Sequence, residues 1–473
     1  MESPITFIKG DKIGFETDYR DYLPENMSGV VRPILGADGY MLQQPGLTKY
    51  SDGVGLDRGG LWNERLSNHF RVSGANPIDG GSLIEIDASG NTAILGAISG
   101  TDKVSMPYSF NTQGIVADGR FYLYDPSNGF REVTDPDLGD PIDCVWVDGY
   151  YFFTDGEYLY HTDLADESAI DPLKFATAEF SPDPTIGVAK TIDNKVMAFG
   201  RYTIEYFIND ASENFAFQRV QTRAVKAGIV GTHCKAEMLD KFYILGGRKE
   251  EGVAVHVVGV GTVNKVSSRE VDKVIGKYTE NELSTCTLEA RVEDDYQYLI
   301  LHLPSEVLLF NSKVASVLGN EYAWSILKTG TEKTPWRAIH GVFEPRKGVW
   351  VYGDKQGTNI GVLDETVSTQ YEEIAEWTLN TPFMKLEYSS IDELEIETMP
   401  GHTTTSDGVV SISLTYDGIT HGTEWFEMYG LPSDYGKRFV IRRLGYVRDW
   451  VGIKLRGATR SRMGFGAAKI AHG

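Results

Sequence analysis

Cysteine is scarce: 473 residues hold three, Cys144, Cys234 and Cys286. An odd number at wide spacing fits neither a disulfide framework nor a zinc site, so the three read as buried free thiols of a chain made in a reducing cytosol. Long apolar runs are missing as well. No stretch reaches the roughly 18 apolar residues of a membrane-spanning helix, and the start, MESPITFIKGDKIGF, lacks the basic beginning and apolar core of a signal peptide. Positive charge is in deficit, with 45 Lys and Arg against 67 Asp and Glu and a formal net charge of -22. That balance argues against general affinity for nucleic acid, which needs cations to displace counterions.

Catalytic signatures are absent too. There is no GxSxG elbow, no GxxxxGK[ST] loop and no His-x-x-x-His pair, and the nine histidines are scattered. Two acidic stretches, TDPDLGDPIDC (134–144) and DLADESAIDP (163–172), offer the oxygen ligands that calcium favours. Neither has the glycine and terminal glutamate of a calcium loop, and both read as solvated loops closed by Asp-Pro turns. The repeated Asp-box of sialidases is missing, with only a loose echo in TYDGITHGTEW. The expectation is therefore a non-enzyme with no cofactor and no metal. The competing class is a β-propeller tail protein that binds or cleaves carbohydrate, which would need two carboxylates facing each other across a sugar.

What is plentiful is turn and strand chemistry: 51 glycines, 25 tyrosines and 21 phenylalanines. A turn signal followed by alternating aromatic and aliphatic residues keeps returning, in DGRFYLYD (118–125), DGYYFFTDGEYLYHTDL (148–164), DNKVMAFGRYTIEYFIND (193–210), DKFYILGG (240–247), DDYQYLILHLPSEVLLFN (294–311) and KGVWVYGDKQGTNIGVLD (347–364). Each reads as strand, tight turn, strand. Recurrence at roughly 40–50 residues marks a β-propeller. The fold class is thus all-β: a six- or seven-bladed propeller-like domain over 55–366 and a C-terminal β-sandwich over 367–473, with a turn-rich segment, 1–54, packing on the base. Two ordinary sandwiches are the plainer alternative. Helical spacing is confined to 268–286, expected between blades, and to 212–235.

The sharpest local feature is the basic end. From residue 437 onward ten Lys or Arg face one acid, a balance of +9 that leaves -31 on the first 436 residues. Lys437, Arg438, Arg442, Arg443, Arg448, Lys454, Arg456, Arg460 and Arg462 are the candidate assembly interface, a surface for an acidic partner or a neighbouring subunit. The plain reading is a set of solvated strand faces.

A collinear series of segments resembles one known family. It includes DYLPENM (21–27), GYMLQQPGLTKY (39–50), DLADES (163–168), TIEYF (203–207), KAGIVGTHCK (226–235), YTENEL (278–283), LILHLP (299–304), WSILKTG (324–330), YDGITHG (416–422) and KRFVIRRLGYVRDWVGIKLR (437–456). The family is the tail hub, or nozzle, of short-tailed phages of the Salmonella-phage type, also called the packaged-DNA stabilisation protein. The resemblance implies a homo-hexamer ring in the virion tail, below a dodecameric adaptor and the portal. It implies a central needle or plug and neighbouring tailspikes or fibres as partners. Genomic DNA would pass through the channel without sequence-specific binding.

Overall fold

The computed structural model describes all residues except 1, 7–21, 34–37, 77, 79, 165, 179, 221–222 and 400. Strand dominates, and the helices are short: α1 (Arg269–Ile275), α2 (Glu280–Ser284) and α3 (Ser312–Leu318). The chain is all-β, a propeller followed by a C-terminal β-sandwich. α1 and α2 lie between two sheets, within 268–286 as expected, and Thr279 and Glu282 form a capping box at the start of α2. The second expected helix fails. Residues 212–235 hold the strands Phe217–Arg219 and Gly228–Ile229 and turns, because Phe217 and Ile229 are drawn into two different sheets.

Seven small antiparallel sheets follow one another along the chain. Their inner strands are Asp57–Asn63, a bridged segment at 104–108, Asp143–Val147, Thr185–Lys190, the pair Gly228–Ile229 and Lys235–Met238, Thr287–Glu293, and Ala338–Glu344. Every gap between neighbouring sheets holds its own apolar seam. Phe70 and Ile115 fill the first, Phe121, Tyr151 and Phe153 the second, and Phe152, Val196 and Phe217 the third. A larger cluster joins sheets four to six, Ile300 and Tyr352 join six to seven, and Ile84, Ile86 and Ile360 join seven back to one. The ring is therefore closed. The closing strand is Gly46–Asp52, which pairs antiparallel with Asn359–Asp364 as the outer strand of the seventh sheet.

The repeated turn signals sit where the backbone needs them. Asp118-Gly119, Asp148-Gly149, Asn194, Leu239-Asp240, Asp294 and Gly348 all have positive φ between flanking strands. The uneven first spacing also has a cause. In most sheets the marked turn joins the first strand to the second. In the second sheet, Ser105 and Val116 exchange backbone hydrogen bonds of 3.1 and 2.9 Å, so 104–108 is its first strand. The turn at Asp118 then joins the second strand to the third, which brings it closer to the next signal.

The sandwich has two sheets. One contains Ser389–Thr398, Phe439–Val447, Gly464–His472 and the N-terminal strands Glu2–Thr6, Met27–Val30 and Tyr40–Gln43. The other contains Glu376–Asn380, Val409–Thr415, Glu424–Met428 and Trp450–Ala458 with Met384–Lys385. Leu394, Ile412, Leu455, Phe465 and Trp377 are among the side chains buried between them. Asn26 clips the sandwich to the propeller. Its backbone N–H donates to the Ile326 carbonyl (2.8 Å), its side-chain oxygen accepts from the Lys328 N–H (2.8 Å), and its side-chain amide donates to the Glu376 carbonyl (2.7 Å). A φ of 53° at Asn26 is one that asparagine tolerates better than most residues.

Candidate assembly surface and axial cavity

The nine basic candidates fall into three groups. Four meet carboxylates of their own chain. Lys437 pairs with Glu427 (2.9 Å), Arg438 with Glu395 (2.7 Å), and Arg442 with Glu393 (2.9 Å). Arg456 grips Glu424 with two bonds of 2.8 Å. The strand Phe439–Val447 lies antiparallel to Ser389–Thr398 with Arg442 opposite Glu393, so alternation puts Arg438, Arg442, Glu393 and Glu395 on one solvent face, while Arg456 and Glu424 lie on the other sheet. Such exposed pairs are each worth only about 0–1 kcal/mol, yet they offset part of the +9. Arg462 donates to the backbone carbonyls of Gln43 and Glu365, tying the sandwich to the end of the propeller.

Arg443, Arg448, Lys454 and Arg460 form no side-chain hydrogen bond or ion pair among the described residues, and all but Lys454 are exposed. Arg443 has a φ of 59° where two residues face one across the pairing, a bulge between Arg442 and Gly445. A bulge re-aims side chains. This strand is an edge of its sheet, and the exposed Tyr446 lies on it. Unpaired arginines beside an exposed tyrosine have the composition of a protein-contact hot spot.

A second site was not legible in the sequence. At the end of the propeller where the inner strands begin, a cavity of about 690 Å³ lies among Asp57, Lys103, His233, Thr285, His302 and Lys355. Two carboxylates beside it are held. Asp57 accepts from Arg71 (2.7 Å) and bonds His340 (2.7 Å). Glu289 bonds His302 Nε2 (2.7 Å) and accepts the Gly341 N–H (2.9 Å). Burial would raise both acids, but their basic partners outweigh it: Asp57 is held below its ordinary value and Glu289 falls to about 2. His302 is lowered to about 4 and His233 to about 3, chiefly by burial, with neighbouring lysines adding. A glycosidase acid must keep its proton near neutrality, and neither Asp57 nor Glu289 does. The sequence signal for the two lysines is slight: each follows an aspartate shortly after a glycine, in Gly100–Lys103 and Gly353–Lys355.

The acidic stretches of the sequence are engaged as loop and strand partners. Asp143 binds Lys235 (2.7 Å) and Ser105 (2.5 Å), Asp135 accepts the N–H groups of Asp137 and Ile170, and Asp163 and Asp171 share Lys174. Among the described residues no group of three His, Cys, Asp or Glu is placed to hold a metal ion. The three cysteines are buried and free. No described helix is long and apolar enough to cross a membrane.

A closed ring of sheets clipped to a two-sheet sandwich defines the class: a propeller–sandwich protein. The chain belongs to the bacteriophage P22 Gp10 family, whose propeller description matches residues 1–368 and whose sandwich description matches 376–473. The tail hub protein gp10 of Salmonella phage P22 is 31% identical over 462 residues, 94% of this chain and 93% of that protein. Among solved structures, a streptogramin B lyase covers 68% of this chain at 11% identity with a TM-score of 0.42. The N-terminal domain of Nup159 covers 72% at 9% identity with a TM-score of 0.40.

Proposed function

We propose that this chain is a structural tail hub, or nozzle, of a phage virion. In this reading it forms a six-copy ring below the portal and adaptor, closes the DNA exit channel, retains the packaged genome and serves as its conduit during ejection. The observation that carries the reading is the match to a phage tail hub along both domains, in order and nearly end to end. Charge supports it. Six copies at -22 each make -132, and a wall of that sign repels DNA phosphates, so the genome slides without adhering. The adaptor, a needle or plug, and spikes or fibres are the proposed partners, with contacts made in part by the basic sandwich edge.

The pairing inside the chain refines which cations to test. Reversing Arg443, Arg448 and Arg460 to Glu touches groups with no partner of their own. It should abolish ring formation or adaptor binding, read by native mass spectrometry and negative-stain imaging, while circular dichroism stays unchanged. Normal rings and normal adaptor complexes from this variant would assign the segment to solvent. A wild-type chain that stays monomeric both alone and with the adaptor would overturn the hub reading itself.

A further inference from the structure

Two lysines of the axial cavity lack the close ion pairing seen elsewhere around the axis, a feature that the hub reading does not use. Along the inner strands, buried ions come in pairs, Arg71 with Asp57 and Lys235 with Asp143, and the buried Glu289 bonds the neutral His302. Arg337, just before the seventh sheet's first strand, is likewise matched to Asp354. Lys103 and Lys355 break the pattern. Both line the cavity, both are half-buried, and neither has a carboxylate within ion-pair distance among the described residues. Lys103 donates to the Thr285 carbonyl at 2.5 Å, and Lys355 lies 3.2 Å from His302 Nδ1. With His302 Nε2–H donating to Glu289, Nδ1 is free to accept from Lys355. An ammonium has three donors, so each lysine keeps two for something else.

A third cation stands in the wall. Arg58 is 2% exposed, donates to the carbonyls of Asp102 (2.6 Å) and Ser99 (2.8 Å), and leaves Nη1 buried without a partner. Unpaired buried charge is costly unless something compensates it. Burial lowers Lys355 to about 8, with Lys103 adding to the fall and the Glu289 and Asp354 carboxylates opposing it. Three cations with no carboxylate within ion-pair distance among the described residues thus line one cavity, whose wall also carries Asp57, already taken by Arg71, and the exposed Asp102 and Asp118.

We infer that the axial cavity is a binding site for a small oxyanion of the phosphate class, held between Lys103 and Lys355 with Arg58 in the wall. A small ion fits better than a nucleic-acid backbone, because Asp102 and Asp118 stand exposed at the rim and repel an extended polyanion. The shared chemistry is a phosphate group, either free or at the end of a small organic molecule.

The test is isothermal titration of the full-length chain with inorganic phosphate near pH 7 at fixed ionic strength, alongside phosphorus-31 line broadening. One site per chain is expected, with a Kd below about 1 mM. K103Q and K355Q should each weaken it by about tenfold, and the double variant further, whereas K355R, which keeps the charge, should stay close to wild type. Circular dichroism checks folding. If a Gln variant fails to fold, competition by sulfate against phosphate on the wild-type chain still decides. No saturable binding to the wild type, or equal binding by the folded double variant, overturns the site. A glycerol phosphate arm names the source: tighter binding than phosphate points to an organic phosphate, and equal or weaker binding to the free ion.

Discussion

The propeller and the sandwich place their charges in opposite ways. Around the propeller axis the charged groups are buried: Arg71 and Asp57 pair at 0% and 4% exposure, and Glu344, at 0%, bonds the equally buried neutral His69. On the sandwich the pairs face solvent, with Arg442 at 69% and Glu393 at 30%. Their cores differ as well. The propeller seams stack aromatic rings, as where Phe121 meets Tyr151 and Phe153 edge-on at 5.1 and 4.9 Å, while the sandwich interior is chiefly aliphatic. The difference follows from geometry. Seven inner strands converge on an axis with a cavity at its mouth, so their polar side chains must satisfy one another there. Two flat sheets exclude water along their whole shared face and leave charge outside.

Breaking one charge in each region should expose this difference. Arg71→Met strands Asp57 and leaves the His69 and His340 contacts incomplete, so it should destabilise the propeller by about 3–5 kcal/mol. Regional hydrogen exchange would read this as faster exchange in the first and seventh sheets only. A loss under about 1 kcal/mol would mean that the pair is solvated and the contrast is false.

The closing strand should come next in effect. Leu47 is fully buried in the seam between the sixth and seventh sheets, and Leu47→Ala should cost about 2–4 kcal/mol. Protease nicking at 46–52 and 359–364, ahead of the sandwich, is the expected readout.

Acid should separate the regions with a smaller, graded effect. His69, His233 and His302 are all lowered, to about 4, 3 and 4, chiefly by burial, so folding favours their neutral forms. The unfolded chain takes up these protons near pH 6.5, so the stability they contribute is full above about 6.5 and falls as pH drops from there toward 4. Glu289, at about 2, adds a contribution present above its ordinary value near 4.5 and lost below it. The propeller should therefore open before the sandwich as pH falls from about 7 to 4, measurable by exchange at matched chemical rates. Simultaneous opening would erase the distinction. The smallest effect belongs to Arg442→Ala, about 0–1 kcal/mol at the sandwich surface, seen as an unchanged melting curve.

Local chemistry was legible in the sequence and distant pairing was not. Asp148-Gly149 and Asp294 announced hairpins because a tight turn depends on adjacent residues alone. The alternation of 438–448 announced a strand for the same reason. The helix expected within 212–235 failed where tertiary partners claimed Phe217 and Ile229. Arg442 finds Glu393 only after 49 residues of intervening chain are folded back, so the basic end reads as unopposed until the sheet is assembled. Lys103 and Lys355 meet only once the ring is closed, which hid the cavity entirely.

That closure sets a clock on the ribosome. The strand Gly46–Asp52 emerges early, but its partner Asn359–Asp364 follows roughly 300 residues later. At about 5–20 residues per second, the first strand waits on the order of 15–60 s with an open edge. The strands Met27–Val30 and Tyr40–Gln43 wait longer, because their sheet is completed by Gly464–His472. Arrested nascent chains ending before residue 359 should leave 46–52 open to protease, and chains released at full length should not. Wherever many copies are translated at once, these early strands of different nascent chains have to be kept apart until each chain is finished.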